Sequence, residues 1–181
     1  MDRPGVERHV AQERTAALWG QLNPEGLASP GRPEYSDSRH MASAGVTAPM
    51  RIYITHCSAK KDDSLRGTAK TARPEALYTA RPTQRFMNHC MRAGVQWGIF
   101  SDLYGVWFSD MEHEWYEKDP DKVTDSEFEH LLRDFETRLQ GYDEVWFYHN
   151  PGRFHRLYKR LIQRTSLKIT KFTHLSEIRN V

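Results

Sequence analysis

The segment Arg51-Ile52-Tyr53-Ile54-Thr55-His56-Cys57-Ser58-Ala59-Lys60-Lys61 decides the fold class of this chain. Its first half is a β-branched and aromatic run that ends at a polar cluster, which is typical of a β-strand. The polar half offers backbone N–H groups, a hydroxyl and two ammonium groups, the chemistry of an anion-binding or phosphate-binding loop. This loop lacks the spaced glycines of a P-loop or a dinucleotide fingerprint, and the alternative interpretation is a solvated lysine turn.

Strands and helices alternate in the sequence after this first strand. The spacing of apolar residues predicts a helix that begins near Pro82 and ends at Gly94, followed by a second strand over 95–100. Thr124-Asp125-Ser126-Glu127 is a capping box, in which a hydroxyl and a carboxylate satisfy backbone N–H groups of the first helical turn. It predicts the start of a second helix, which Gly141 ends.

The last part of the sequence adds a strand, a helix and a weaker strand. Residues 144–148 form an apolar and aromatic run that predicts the third strand. Asn150-Pro151 predicts the start of the third helix, with Asn as the cap and Pro at the first helical position. Residues 167–172 alternate with polar side chains, which is typical of a strand at the edge of a sheet.

The order β-α-β-α-β-α-β predicts a single α/β domain over residues 50–181. We expect a three-layer, mostly parallel sheet of four to five strands with helices on both faces, of the Rossmann-like or glycosylase-like type. In such sheets ligands bind beyond the carboxyl ends of the strands. Residues 1–49 carry five prolines and few core-forming residues, which predicts a disordered leader. The segment His40-Met41-Ala42-Ser43 resembles a cloning junction, so we hypothesise that part of the leader is foreign to the natural protein.

The composition excludes several classes of protein. The chain has 26 Lys and Arg against 24 Asp and Glu, which is not the large basic field that indicates a nucleic-acid partner. Two cysteines, Cys57 and Cys90, are too few for a disulfide framework and are expected to be reduced thiols. There is no run of about 18 apolar residues and no secretory pattern at the start of the sequence. We therefore predict a cytoplasmic protein without membrane association.

Polar and titratable residues gather at one edge of the predicted sheet, where its strands end. They are His56-Cys57-Ser58, Ser101-Asp102, His149-Asn150 and Thr173-His174. Because separate strands deliver these residues to one edge, they predict a composite ligand site there. The segment from Asn150 to Arg153 is either a simple helix cap or a helix N-terminus that also binds an anion through Arg153.

The long connection over 101–121 is rich in both aromatic and acidic residues. Its aromatic faces are suited to stacking on a base or sugar while Asp102 or Glu114 handles a proton. For Trp107 and Phe108 the simpler interpretation is a hydrophobic cluster that fixes a long loop. Asp102 and Glu114 are therefore the main catalytic candidates, and His149 is the third.

Metal binding and thiol catalysis are two further interpretations of the same residues. Side chains of ligand type are present at His56, Cys57, His113, Glu114, His149 and His174. Their spacing matches no zinc pattern, and the chain has neither HExxH nor CxxC, so no metal and no other cofactor is predicted. A Cys57 nucleophile with a neighbouring histidine as base is an alternative to the anion-binding loop, which needs fewer assumptions.

Three motifs of the sequence occur together in a known group of proteins. They are His56-Cys57-Ser58-Ala59-Lys60-Lys61, Ala76-Leu77-Tyr78-Thr79 and Ile99-Phe100-Ser101-Asp102-Leu103-Tyr104-Gly105-Val106. With these motifs the chain resembles the YaaA-like, DUF-type family of small α/β proteins, which typically show a Cys-Ser-x-x-Lys loop, a Leu-Tyr pair and a Tyr-Gly segment. The Cys-Ser-x-x-Lys loop is also distantly similar to the central domain of archaeosine transglycosylase relatives, whose fold resembles that of uracil-DNA glycosylases.

The resemblance implies a role linked to nucleotides or nucleic acids. Together with the residues it favours an N-glycosidase or base-exchange enzyme, in which Asp102 or Glu114 acts beside a cationic sugar and Ser58, Lys60 and Arg153 hold phosphate. The candidate substrate contacts are His56, Cys57, Ser58, Lys60, Lys61, Tyr78, Ser101, Tyr104, Gly105, His113, Asn150 and Arg153. The alternative is a non-catalytic DNA-binding, RNA-binding or stress-response module that uses the same edge of the sheet.

Overall fold

The computed structural model describes residues 49–150 and 154–180. The leader expected over residues 1–49 lies outside this range, apart from Pro49. The strands are β1 (Arg51–His56), β2 (Thr71–Ala72), β3 (Gln96–Ser101), β4 (Gly105–Phe108), β5 (His113–Glu114), β6 (Glu144–Tyr148) and β7 (Ile169–Phe172). The α-helices are α1 (Pro74–Leu77), α2 (Arg81–Ala93), α3 (Asp125–Leu139) and α4 (Arg156–Arg164). None of the described helices is long and apolar enough to cross a membrane.

The main sheet has five strands in the order β4-β3-β1-β6-β7. The pairs β3–β1, β1–β6 and β6–β7 are parallel, whereas β4 runs antiparallel to β3. The expected α/β class with a mostly parallel sheet is therefore confirmed. The weak strand over 167–172 forms β7 at one edge, as its alternating pattern predicts. Strands β2 and β5 form a separate two-residue antiparallel pair.

Strand β1 lies at the centre of the sheet because its residues are apolar on both sides. Ile52, Tyr53 and Ile54 are fully buried in succession, as expected for a parallel strand covered on both faces. Two helices contact the neighbouring strand β3 at Trp97 and Phe100, which lie an odd number of positions apart. Phe86 of α2 packs against Trp97, and Phe135 of α3 packs against Phe100. Since alternate strand residues point to opposite faces, α2 and α3 contact opposite faces of the sheet.

Local capping signals set the ends of two helices as the sequence predicts. Helix α2 ends at Gly94, which adopts the left-handed conformation at φ 62° and donates its N–H to the last turn. Helix α3 begins after Thr124, whose side chain accepts the Glu127 N–H while the Glu127 carboxylate accepts the Thr124 N–H. Both boundaries are fixed by a few neighbouring residues, which explains why they are visible in the sequence.

Two parts of the fold differ from the expectation. The connection over 101–121 contains β4, so Trp107 is a fully buried residue of the main sheet rather than part of a cluster beside a loop. Helix α4 does not begin at Asn150-Pro151. It begins at Arg156, because the His155 side chain accepts the Leu157 N–H and so caps the helix. Asn150 lies at the end of a described range, and Pro151 to Arg153 lie outside the described residues, so the predicted cap itself is not tested.

The order of the strands creates a switch point next to β1. The chain leaves β1 toward β3 on one side, and later enters β6 on the other side and continues to β7. The connection that follows β1 and the connection that follows β6 therefore lead to opposite sides of the sheet. This leaves a crevice between the carboxyl ends of these two strands. In open α/β sheets this crevice is the position where ligands bind.

Gly105 should be required for the turn that follows the carboxyl end of β3. Its φ is 71°, and an added Cβ would clash with the Asp134 carboxylate, which accepts the Val106 N–H at 2.7 Å. We expect Gly105→Ala to lower the free energy of unfolding by at least about 2 kcal/mol, from left-handed strain and the lost hydrogen bond. Denaturant unfolding measures the change. Gly141→Ala is the control, because a Cβ there meets nothing within 4 Å; an equal loss in both variants would contradict the account.

Candidate functional site

A cavity of about 320 Å³ opens at the carboxyl ends of β1 and β6, in the crevice that the strand order creates. It is framed by the segment after β1, the start of α2, the end of β6 and the start of α4. Its walls are formed by Thr55, His56, Cys57, Ser58, Ala59, Lys61, Ala80, Pro82, Thr83, Asp102, Lys118, Pro120, Tyr148, Asn150, His155 and Tyr158. Ligand sites of drug-sized molecules occupy about 300–1,000 Å³, so this cavity suits a small ligand.

Asp102 is the acidic residue in the cavity wall. Only 5% of its surface is exposed, and its Oδ1 atom has no hydrogen-bond partner among the described residues. Desolvation raises the pKa of the carboxyl above its ordinary value, and the nearby positive charge of Lys61 opposes this effect without cancelling it. A buried carboxyl with an unused oxygen and a raised pKa is suited to exchanging a proton with a bound ligand.

Lys61 is held inside an aromatic enclosure next to Asp102. It is 7% exposed, and its Nζ atom lies 4.1 Å from the ring centroid of Tyr116. The rings of Tyr78 and Trp115 lie at 5.9 Å from the same atom. Cation–π attraction to three rings offsets part of the cost of removing the ammonium group from water. The geometry fixes one positive charge at the wall of the cavity.

A buried chain of hydroxyl groups fixes the backbone turn that carries Asp102. The hydroxyls of Tyr78 and Tyr116 lie 2.8 Å apart, and Ser101 Oγ donates to Tyr116 Oη over 2.9 Å. Ser101 Oγ also accepts the N–H groups of Leu103 and Tyr104, which fixes the turn directly after Asp102. Burial raises the pKa of both tyrosines well above 10, so they are neutral hydrogen-bonding groups. Tyr78 and Ser101 therefore shape the site without lining the cavity.

Cys57 and His56 form the wall beside Tyr158. The Cys57 Sγ atom lies 3.2 Å from the Tyr158 hydroxyl, and burial together with the Asp102 charge raises the pKa of the thiol to about 11. The His56 ring stacks on Tyr158 at 4.6 Å, and its Nδ1 atom lies 2.8 Å from the Cys57 carbonyl oxygen. A carbonyl only accepts, so Nδ1 donates and Nε2 is the acceptor of the neutral ring. Burial lowers the pKa of His56, which favours this neutral form.

Lys118 and His155 are among the lining residues that were not sequence candidates. Lys118 Nζ pairs with Glu127 Oε1 at 2.6 Å, and His155 caps α4 while its Nε2 lies 3.2 Å from Asp121 Oδ1. Both reach the cavity from segments far from β1 in the sequence. A Lys in an acidic loop and a His before a helix are common on protein surfaces. The sequence therefore did not distinguish Lys118 and His155 from ordinary surface residues.

Several predicted site residues lie outside the cavity wall. Glu114 is exposed in β5, where it pairs with Thr71 of β2. Lys60 is exposed, and its carbonyl accepts the Ser58 hydroxyl. His149 does not line the cavity; its backbone N–H donates to the Phe172 carbonyl. Of the three catalytic candidates, Asp102, Glu114 and His149, only Asp102 lines the cavity.

The Tyr-Gly segment also lies away from the cavity. Tyr104 stacks on the His113 ring at 4.2 Å, and burial together with the charge of Arg138 lowers the pKa of His113 to about 4. A Cβ added at Gly105, the first residue of β4, would clash with the Asp134 carboxylate. These residues organise the connection after β3 rather than contact a ligand in the cavity. Arg153 lies outside the described residues, whereas Asn150 lines the cavity as predicted.

Comparison with known protein families, with curated proteins and with solved structures gives no match for this chain. The resemblance to the YaaA-like family therefore stays a prediction from the motifs. In the part of the chain that the structure describes, no group of three or more His, Cys, Asp and Glu side chains is arranged to hold a metal ion. The case for a function consequently depends on the cavity and its residues.

Cys57 should be unreactive toward alkylating reagents in the folded protein. With a pKa of about 11, fewer than about one thiol in a thousand is ionised at pH 7.5, and only the thiolate reacts. We expect iodoacetamide to label Cys57 and Cys90 at that pH only after unfolding, as measured by mass spectrometry. Rapid labelling of Cys57 in the native state would show an ionised nucleophile and would revive the thiol mechanism.

Proposed function

We propose that this protein is an N-glycosidase or base-exchange enzyme that acts on a nucleoside or nucleotide bound in the cavity, with Asp102 as its catalytic carboxyl. The observation that carries the proposal is the Asp102 side chain, which is buried in the cavity wall with an unpartnered oxygen and a raised pKa. An unpartnered buried polar atom costs roughly 1–3 kcal/mol. Such a cost is common where a ligand completes the hydrogen bonding.

The size and charge of the site favour a small substrate over a polymer. A volume of about 320 Å³ is close to the lower limit for ligand cavities and fits a nucleoside better than a strand. The near balance of basic and acidic residues also argues against a binding mode that depends on many phosphate contacts. Both observations support catalysis on a small molecule over the alternative of a DNA-binding or RNA-binding module.

The chemistry requires one group that gives and takes a proton beside the anomeric carbon. In the proposed step the C–N glycosidic bond breaks, its electron pair goes to the base nitrogen, and the Asp102 proton moves to that base. The resulting carboxylate stabilises the cationic sugar. Water then adds to the anomeric carbon and returns a proton to Asp102; in base exchange an incoming base takes the place of water. A raised pKa suits both halves of this cycle.

Lys61 and His56 complete the site in supporting roles. The fixed charge of Lys61 stabilises the Asp102 carboxylate once its proton has been transferred, and opposes a further rise of its pKa. The neutral His56 ring offers Nε2 as an acceptor for a sugar hydroxyl. Neither residue needs a metal or a cofactor for these roles.

Replacing the proposed catalytic carboxyl should abolish release of the base. A positioned acid or base contributes about 10²–10⁴-fold to a rate, so we expect Asp102→Asn to lower turnover by at least about 100-fold. Liquid chromatography of the free base released from a panel of ribonucleosides, deoxyribonucleosides and their monophosphates measures this. Glu114→Gln is the matched control, because Glu114 is an exposed carboxylate outside the cavity and should be dispensable.

Thermal unfolding of both variants separates a catalytic effect from a folding effect. Because desolvation outweighs the attraction of Lys61, a neutral side chain at position 102 should not lower the melting temperature at neutral pH. Full activity in a folded Asp102→Asn variant would refute the proposed mechanism. Salt-sensitive binding of polynucleotides, with no base release from any member of the panel, would instead favour the non-catalytic module.

A further inference from the structure

A second cleft of about 670 Å³ adjoins the cavity. The two share Pro82, Tyr148 and Asn150 in their walls, so they are neighbouring parts of one surface depression. The second cleft extends from the start of α2 toward the segment after β7, at residues 173–176. A ligand that fills the cavity therefore has room to continue into this cleft.

The second cleft is lined by basic side chains, whereas the cavity wall also contains the Asp102 carboxyl. Its wall carries the guanidinium groups of Arg81 and Arg85, together with the imidazoles of His89 and His174. No Asp or Glu is among its lining residues, and neither arginine has an ion-pair partner within the described ranges. Two unpaired guanidinium groups in a concave, polar wall are suited to bidentate binding of a phosphate group.

Arg81 and Arg85 lie in the first two turns of α2, and both residues are exposed. They are four residues apart, so they project from the same side of this 13-residue helix. Gln84, between them, donates through Nε2 to the carbonyl oxygens of Glu75 and Tyr78, which ties the turn to the preceding segment. The positive end of the helix dipole lies at this turn and also favours an anion.

The loop after β1, where the sequence suggested phosphate binding, is used differently. The Ser58 hydroxyl donates to the Lys60 carbonyl, and Lys60 is exposed outside the cavity wall. Lys61 is enclosed by aromatic rings and acts electrostatically on Asp102. These contacts leave the cationic cleft at α2 as the better position for a phosphate group.

We infer that the substrate is a phosphate ester of a nucleoside, whose phosphate binds between Arg81 and Arg85 while the nucleoside occupies the cavity beside Asp102. This inference rests on the proposed function and specifies its substrate class. Arg81 and Arg85 would then determine the substrate specificity, and they take no part in the proposed bond cleavage. The phosphate ester belongs either to a free nucleotide or to the end of a nucleic-acid strand.

Isothermal titration of the full chain with each ribonucleoside and its 5′-monophosphate tests the inference. We expect the monophosphate of the preferred nucleoside to bind at least about 10-fold more tightly than the nucleoside, from charge-assisted hydrogen bonds. The double variant Arg81→Gln with Arg85→Gln should remove this advantage and leave nucleoside affinity unchanged. Arg92→Gln is the matched control, since it removes the same charge from the exposed last turn of the same helix.

The outcomes separate this inference from the proposed function. Equal affinity for nucleoside and monophosphate, or an advantage that survives in the double variant, would overturn the phosphate site even if Asp102-dependent base release is observed. A chain that binds neither compound contradicts both proposals. A short single-stranded oligonucleotide with a 5′-phosphate provides the second arm: if the double variant weakens its binding more than that of the monophosphate, the phosphate belongs to the end of a strand, and if its binding is unchanged, the phosphate belongs to a free nucleotide.

Discussion

The burial of the Asp102 carboxyl beside the enclosed ammonium group of Lys61 is the constraint on which the site depends. Desolvation raises the pKa of the carboxyl, and the positive charge of Lys61 lowers it. The two effects oppose each other, and desolvation prevails. Because the rings of Tyr78, Trp115 and Tyr116 hold Lys61, its charge is fixed and cannot simply move into water. A carboxyl with a raised pKa in this environment is suited to the proton transfer that we propose.

The fold produces this arrangement through the pairing of its central strands. Parallel pairing of β1 with β3 carries the loop of Lys61 and the turn of Asp102 to the same edge of the sheet. The antiparallel strand β4 then folds the chain back, and Asp134 of α3 secures that turn by accepting the Val106 N–H. The long connection after β4 brings Tyr116 back to the site, where its hydroxyl accepts from Ser101 and its ring contacts Lys61. The aromatic-rich connection thus has mainly a structural role at the site.

Sequence reasoning succeeded where a few neighbouring residues determine the outcome. Caps such as Thr124 and Gly94, and the strand end that precedes Asp102, depend on local chemistry and were visible. Asp102 and Glu114 looked equivalent in sequence, because only the tertiary structure buries one and exposes the other. Strand β4 was missed since its aromatic residues also suit a loop cluster. The arginines of α2 were missed because their proximity to the cavity arises from packing.

An NMR titration of the Asp102 Cγ resonance, assigned by its loss in Asp102→Asn, tests the central claim most directly. We expect the midpoint to lie above the ordinary value of about 3.9 for Asp, and to shift when a nucleoside or nucleotide that the protein binds is added. Ligand contact with the unpartnered oxygen and further exclusion of water both alter the pKa of this carboxyl. A midpoint at or below the ordinary value, with no response to a bound ligand, would contradict the account.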